Sequence, residues 1–385
     1  MSDIKQGATF LAETDISQGV LALIEAALDK NCFDAILIPA KVPASDSFAH
    51  VLIEDKARLK DAYPLCPIMT IQGARVISSL TARGEGKKLI AALIRPCEAR
   101  ATIELLKLGQ VNLDNVILIS MDCPGSLPLA NWAKDPAKTE VAFGKVLNGE
   151  ASESLRPVCQ ICNRFSATGG EDLHIGTIGM KGKLMLIPNS DKGKGILNKL
   201  GLKIETDVSE WQNQVDKATA DRRKKREKAY QKLESESKGL DNLLATFSKC
   251  INCHNCMRVC PICYCRQCFF DSDTSKFPFE DYLARAETAG GLRLPPETLL
   301  FHIGRMLHMS LSCVSCGACE DACPTSIPVA QVFSLVGSRN QKEFDYAPGK
   351  NLDECLPLRV FQEEEFEEVE QSHAGISAKQ ETQDA

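Results

Sequence analysis

Two runs of cysteine constrain this chain more than any other feature. The first reads Cys250-Ile-Asn-Cys253-His-Asn-Cys256-Met-Arg-Val-Cys260-Pro261. The second reads Cys313-Val-Ser-Cys316-Gly-Ala-Cys319-Glu-Asp-Ala-Cys323-Pro324. Both fit C-x-x-C-x-x-C-x-x-x-C-P. Three thiolates at three-residue steps wrap one face of a cuboidal iron–sulfur cluster; the fourth begins a helix, which a following proline suits, and reaches the other cluster. The spacing therefore predicts two 4Fe-4S clusters with crossed ligands: Cys250, Cys253, Cys256 and Cys323 for one, and Cys313, Cys316, Cys319 and Cys260 for the other. Gly317 stands where backbone must close around inorganic sulfur. Zinc knots are the competing use of clustered cysteine, but they close on four ligands and rarely use this run.

The chain has 18 cysteines in 385 residues, many at two- and three-residue gaps, and its N-terminus has no apolar signal-peptide core. Such pairs read as metal or cluster ligands in a reducing cytoplasm rather than as disulfides. A net charge of −6 argues against nucleic acid as the main partner. No apolar run is long enough to span a membrane.

Residues 1–208 read as α/β. Apolar runs at Phe33–Pro39, Lys88–Ile94, Val116–Ser120 and Lys183–Pro188 alternate with helical patterns at Gly19–Asp29 and Ala99–Gly109, which argues for βαβ units and a largely parallel sheet. Residues 209–248 are highly charged and include Arg222-Arg-Lys-Lys-Arg-Glu-Lys228. A long solvated helix joining two domains is the expectation there, with a docking surface for an acidic partner as the sharper alternative. Residues 249–340 form the cysteine-rich module, expected to be a two-cluster ferredoxin-like α+β unit. Residues 341–385, with Phe361-Gln-Glu-Glu-Glu-Phe-Glu-Glu-Val-Glu370, read as a disordered acidic tail.

Three further cysteines, Cys263, Cys265 and Cys268, follow the first motif directly, and the spacing leaves their role open. His302 and His308, in the insertion between the motifs, read as packing or partner-facing residues, because the clusters already have enough thiolates. In the α/β region, Cys97 and Cys123 each follow a strand, and Cys159 and Cys162 form a C-x-x-C. Strand-end loops of one parallel sheet share an edge, where such folds bind ligands. Cys97, Cys123, Cys159 and Cys162 are therefore candidate ligands of a third 4Fe-4S cluster, against the alternative of isolated core cysteines. Cys32, Cys66 and Cys355 read as structural. No glycine-rich nucleotide fingerprint is present, and Asp172-Leu-His-Ile-Gly176-Thr-Ile-Gly179 is not one, with His174 read as a satisfied loop residue.

At RPCEARA (95–101), MDCPG (121–125), RPVCQIC (156–162), DLHIGTIG (172–179), CINCHNCMRVCPICYCRQC (250–268) and HMSLSCVSCGACEDACPTSIP (308–328), the chain resembles the beta subunits of deazaflavin-coenzyme hydrogenases and formate dehydrogenases. The formate dehydrogenase type is the nearest, since both cluster motifs follow the α/β region rather than preceding it. The resemblance implies FAD beside a 4Fe-4S cluster in the α/β domain. It also implies a catalytic formate dehydrogenase or hydrogenase partner and a soluble two-electron acceptor: the deazaflavin coenzyme, NAD or a heterodisulfide-reductase-like complex. Arg95, Glu98 and Arg100, around the RPCEAR turn, are the candidates for shaping the flavin or acceptor site, with a plain surface ion pair as the alternative. The favoured function is an electron-transfer oxidoreductase subunit. A flavin-free polyferredoxin adaptor is the second reading, and a cluster-based sensor or scaffold the third.

Overall fold

Parallel pairing in this chain occurs only where a helix separates consecutive strands, and that rule shapes the sheet. The computed structural model describes residues 6–12, 15–44, 46–150, 153–265 and 267–360. The strands are β1 (Gln6–Leu11), β2 (Ala35–Lys41), β3 (Phe48–Ile53), β4 (Ile90–Ile94), β5 (Val116–Met121), β6 (Leu173–Gly176), β7 (Lys183–Pro188) and β8 (Thr206–Asp207). They form one sheet in the order β3-β2-β4-β5-β6-β7-β1-β8.

β2, β4, β5 and β6 pair in parallel, each separated from the next by helical chain. The pairs β2–β3, β6–β7, β7–β1 and β1–β8 are antiparallel. The expected largely parallel sheet is thus corrected to a mixed one. The connections β2–β3 and β6–β7 are too short for a crossover, which needs about a dozen residues, so they turn back as hairpins.

The helices are α1 (Ile16–Asp29), α2 (Gly73–Thr81), α3 (Pro96–Lys107), α4 (Leu129–Lys134), α5 (Pro136–Leu147), α6 (Pro157–Gln160) and α7 (Asp191–Leu200). Beyond the sheet come α8 (Ser209–Ser237), α9 (Leu240–Phe247), α10 (Asn255–Arg258), α11 (Phe279–Ala289), α12 (Thr298–Met309), α13 (Ala318–Asp321) and α14 (Val329–Glu343).

Alternation along the central strands sorts their side chains to two faces. Ala91, Leu93, Ile117 and Ile119 face one core with Leu23 of α1, Phe143 of α5 and Ile196 of α7. Ala92, Ile94 and Leu118 face the other with α2 and α3, and Val314 of the second cysteine run packs there too. β5 is buried at every position, as a central parallel strand covered on both faces must be.

A third core gathers Phe247, Met257, Phe301 and Phe333 with Cys256, Cys260 and Cys319, and Cys250, Cys313 and Cys323 pack against it. No strand occurs among the described residues after β8, which corrects the α+β expectation for the module. The backbone there is spent on loops around thiols and on the helical insertion α11–α12. α14 runs past the expected boundary at 340, and Gln341 and Tyr346 are buried. The acidic run 361–370 lies outside the described residues.

α8 is anchored at two points. Trp211 is fully buried against β6, where a Cβ on Gly176 would stand 2.6 Å from Trp211 Nε1, so only glycine permits the contact. Tyr230 is buried three-quarters of the way along, while most of the intervening cations are exposed.

Candidate functional site

The two cysteine runs fold as near copies. Asn252 and His254 have φ of +54° and +60°, and Ser315 and Gly317, at the same steps of the second run, have +57° and +83°. Left-handed residues at paired positions curl successive N–H groups inward into an anion-binding nest. α10 and α13 then begin five residues after Cys250 and Cys313 respectively.

Each loop encloses a cavity. One, of about 300 Å³, is lined by Cys250, Cys253, Cys256 and Cys323. The other, of about 360 Å³, is lined by Cys313, Cys316, Cys319 and Cys260. These are the crossed sets expected from the spacing. Among the described residues no three His, Cys, Asp or Glu side chains converge on a point fit for a single metal ion. Thiols standing back around a cavity suit a cuboidal cluster better than one tetrahedral zinc.

Polar groups aim at the sulfurs of the first set. The Asn252 and Ile327 N–H groups donate to Cys250 Sγ and Cys323 Sγ, each at 3.4 Å. His302 Nε2 lies 3.4 Å from Cys250 Sγ, and its ring stacks on Phe247 at 4.0 Å. Burial, Arg305 and His254 push its pKa down to about 3, so a neutral imidazole faces the sulfur. His302 thus touches a ligand candidate without needing to be one, whereas His308 is exposed.

Arg305 is buried between the two sets. Its Nη1 donates to Cys256 Sγ at 3.1 Å and its Nη2 to Cys256 O at 3.1 Å. Despite the cost of burial, Cys256, Cys263, Cys260 and Cys319 hold its pKa up.

Of the three extra cysteines, Cys263 donates to Cys260, drawing the Cys260 thiol down and pushing its own up. Cys268 packs its sulfur 3.8 Å from Met257 Sδ, and Cys265 is exposed.

The α/β cysteines gather at the carboxyl ends of β4 and β5. Burial pushes the Cys97 thiol well up, and Glu98, Cys316 and Cys123 add to the rise. Cys123 is pushed up to about 11, mainly by burial, with Cys159 and Cys162 contributing and Arg95 opposing. Cys159 is raised in the same way. Buried thiols of this kind lose their protons readily only when a cationic centre in their midst stabilises the thiolates.

Beside them lies a cavity of about 380 Å³ lined by Pro39, Cys66, Arg95, Glu98, Met121 and Cys123 among others. Arg95 Nη2 donates to Cys66 O at 2.7 Å and Ile68 O at 2.9 Å. Glu98 accepts from Arg95 N at 2.8 Å and Gly73 N at 2.9 Å, so one carboxylate caps both α3 and α2. Arg100 turns away from the cavity and donates through Nη2 to Val314 O at 3.1 Å. Near Arg95 and Glu98, His50 Nε2 is buried without a partner.

Behind Cys123, Asp122 is fully buried. Burial raises its pKa, but His174 at 3.0 Å and a hydrogen bond from Ser166 outweigh that, and the net shift is downward. Trp211 Nε1 and the Thr177 and Ile178 N–H groups complete its shell. His174 is satisfied as expected, yet in strand β6 rather than a loop.

The C-x-x-C helix α6 packs on the second cysteine loop. A Cβ on Gly317 would fall 2.7 Å from Val158 Cγ2. Arg156 Nη2 pairs with Asp321 Oδ2 at 2.6 Å, both side chains almost wholly buried, and Arg156 Nη1 donates to Cys316 O at 3.3 Å.

Sequence reasoning missed Arg305, Arg156, Asp321, His50 and the cavity-lining role of Cys66. Only Arg156 carried a signal, standing just before Pro157 at a helix start.

A cysteine-ringed, two-loop module of this form defines an iron–sulfur protein, and residues 245–327 match a sequence family described as a 4Fe-4S dicluster domain. Over 90% of its length the chain is similar to the F420-dependent formate dehydrogenase subunit beta of Methanocaldococcus jannaschii, at 29% identity and covering 95% of that protein. It is similar to the same extent to the F420-dependent formate dehydrogenase 1 subunit beta of Methanococcus maripaludis, at 29% identity over 90% of this chain and 94% of the relative. The resemblance read from the motifs is thereby borne out, and these relatives are oxidoreductase subunits. Among solved structures, the F420-reducing [NiFe] hydrogenase complex from Methanosarcina barkeri aligns with a TM-score of 0.43 at 11% identity, covering 62% of this chain and 94% of that one. No helix among the described residues is long and apolar enough to cross a membrane.

Proposed function

We propose that this chain is the electron-relay subunit of a formate dehydrogenase or hydrogenase complex, working in the cytoplasm. Electrons from a separate catalytic subunit enter 4Fe-4S clusters held by the two crossed thiolate sets. They pass to a third cluster on Cys97, Cys123, Cys159 and Cys162, and then to FAD in the cavity at the ends of β4 and β5. Residues 1–208 supply the flavin and third-cluster region, 209–248 the connecting segment and 249–340 the two-cluster module.

The observation that carries this reading is a line of thiols. The Cys97 thiol feels the charges of both Cys316, in the second run, and Cys123, and Cys123 lines the cavity. Two features of the cavity fit a flavin: it opens at strand carboxyl ends, and the partnerless His50 Nε2 stands near its Arg95 and Glu98 lining. A bound flavin supplies the conversion between single electrons and a hydride. The chain's own part is to hold a cation, Arg95, at that wall and to keep water from the thiols.

The relatives' names make the deazaflavin coenzyme F420 the proposed acceptor. NAD and a heterodisulfide-reductase-like complex are the alternatives that acceptor assays separate.

The test is iron and flavin content per chain after anaerobic purification. About twelve irons (three 4Fe-4S clusters) with one FAD is the expected result. About eight irons and no flavin would hand the chain to the flavin-free polyferredoxin adaptor reading. Cys159→Ala should remove about four irons, one cluster's complement, and block flavin reduction from the catalytic side.

A further inference from the structure

No cysteine of the segment between the two runs lines either thiol cavity, yet helix α12 of that segment lies against the first. One face of α12 carries Phe301, His302, Arg305 and Met309, all buried, while Leu300, Leu307 and His308 are exposed. His302 and Arg305 stand three residues apart, so they project as neighbours from one helical face.

Each reaches a different sulfur of the first set. Arg305 Nη1 donates to Cys256 Sγ and Nη2 to Cys256 O, both at 3.1 Å, so the guanidinium holds one residue twice. Its other neighbours are Cys263 Sγ at 3.8 Å, Met309 Sδ at 3.5 Å and the rings of Phe301 and Phe333. Arg305 is only 2% exposed, and among the described residues no carboxylate pairs with it. A buried cation persists only beside an anion, and the candidate on the page is the sulfur it touches. His302 Nε2 lies 3.4 Å from Cys250 Sγ, while its Nδ1 is buried with no partner. With the proton on Nε2, the neutral ring's single N–H meets the sulfur; on Nδ1 it would be buried unpaired. Stacking on Phe247 at 4.0 Å fixes the ring plane. Among the described residues no side-chain N–H donates to a sulfur of the second set, since Arg100 and Arg156 reach that loop at carbonyl oxygens.

We propose that α12 tunes the first site: Arg305 at Cys256 and His302 at Cys250 are positioning residues that raise the reduction potential of the cluster held there. The proposal rests on the reading that Cys250, Cys253, Cys256 and Cys323 hold a 4Fe-4S cluster. Reduction adds one electron to that cluster; no bond forms or breaks. The added negative charge spreads onto the sulfurs, so an N–H fixed against a sulfur binds the reduced form more strongly. A charge-assisted hydrogen bond is about twice as strong as a neutral one, which gives Arg305 the larger share. No nitrogen of Arg305 or His302 touches a sulfur of the second set, so the effect falls mainly on the first.

The experiment is a redox titration followed by electron paramagnetic resonance, with the first-site signal identified as the one that Cys253→Ala removes. Arg305→Gln should lower the midpoint of that signal, with about a tenfold fall in its reduction equilibrium constant, which is 59 mV for one electron. His302→Leu should give about a threefold fall, as befits a neutral donor of half the strength. Arg305→Lys should recover most of the loss, and His308→Gln, on the exposed face of the same helix, should change nothing. An unchanged first-site midpoint in Arg305→Gln protein with native iron would overturn the proposal. So would equal falls in the Gln and Lys variants, or equal falls at both sites, since either would mean packing rather than a fixed cation at one sulfur. If Arg305→Gln loses iron, His302→Leu carries the decision, and an unchanged midpoint there overturns the proposal. Iron in the native protein tells the two failures apart: well short of about eight atoms (two 4Fe-4S clusters), the cluster reading itself falls and takes this proposal with it.

Discussion

Gly317 concentrates two demands in one residue. Its φ of +83° is left-handed, and a Cβ there would meet Val158 Cγ2 at 2.7 Å. The left-handed backbone alone costs an L-residue about 1–2 kcal/mol, before any clash is counted. Gly317→Ala should therefore lower the thermal midpoint and weaken the spectral signature of the second cluster. Adding Val158→Ala should recover the part due to the clash. A Gly317→Ala protein with native midpoint and native spectrum would refute this account. The equivalent residue of the first loop, His254, adopts the same backbone region with a side chain, because its ring stacks on Phe301 at 4.4 Å. The sequence made Gly317 legible through its place in the motif; nothing in it said that a histidine would tolerate the same position.

At the scale of elements, one carboxylate holds two helices. Glu98 caps α3 through Arg95 N and α2 through Gly73 N, and it is buried where water cannot replace it. Hydrogen bonds to a charged acceptor contribute about 1.5–3 kcal/mol each, so Glu98→Gln should cost about 1–3 kcal/mol in anaerobic denaturant unfolding. An unchanged denaturation midpoint would show that the cap is redundant. The central strands β4 and β5 were legible because they are continuous apolar runs flanked by helix-length segments. β3 was not, because it is an edge strand whose Val51 and Leu52 face solvent among polar neighbours. β1 reaches the sheet from the opposite end of the α/β region, a pairing that no local pattern encodes. α8 was visible as a charged, proline-free run, yet its charge pattern hid the buried Trp211 and Tyr230 that pin it at two points.

Across the whole molecule, the α/β region and the cysteine module meet through a buried ion pair. Arg156 and Asp321 lie 165 positions apart and touch at 2.6 Å, and Asp321 Oδ1 also accepts from Leu129 N at 2.9 Å. Removing one member of such a pair leaves a buried charge uncompensated, at a cost of about 3–5 kcal/mol. Arg156→Ala should therefore unfold at markedly lower denaturant and, on the proposed assignment, weaken magnetic coupling between the second cluster and the proposed third one. The double variant Arg156→Met with Asp321→Leu should be the more stable of the two. If it is the weaker, the pair is net stabilising and this account of its energetics fails. That Cys250, Cys253, Cys256 and Cys323 line one cavity and Cys313, Cys316, Cys319 and Cys260 the other was legible because thiol spacing is local. The junction between module and α/β region was not, since Arg156, Asp321 and Leu129 come from separate stretches that only the fold assembles.

The crossed arrangement of Cys260 and Cys323 bears on how the protein is made. On the proposed assignment, the first cavity stays one ligand short until residue 323 has been synthesised and the second loop has closed, although its other three thiols appear some seventy residues earlier. Delivery to the first site waits until the second loop has been made and has closed, so the two centres mature together, and a truncation before Cys313 costs the cell two centres rather than one.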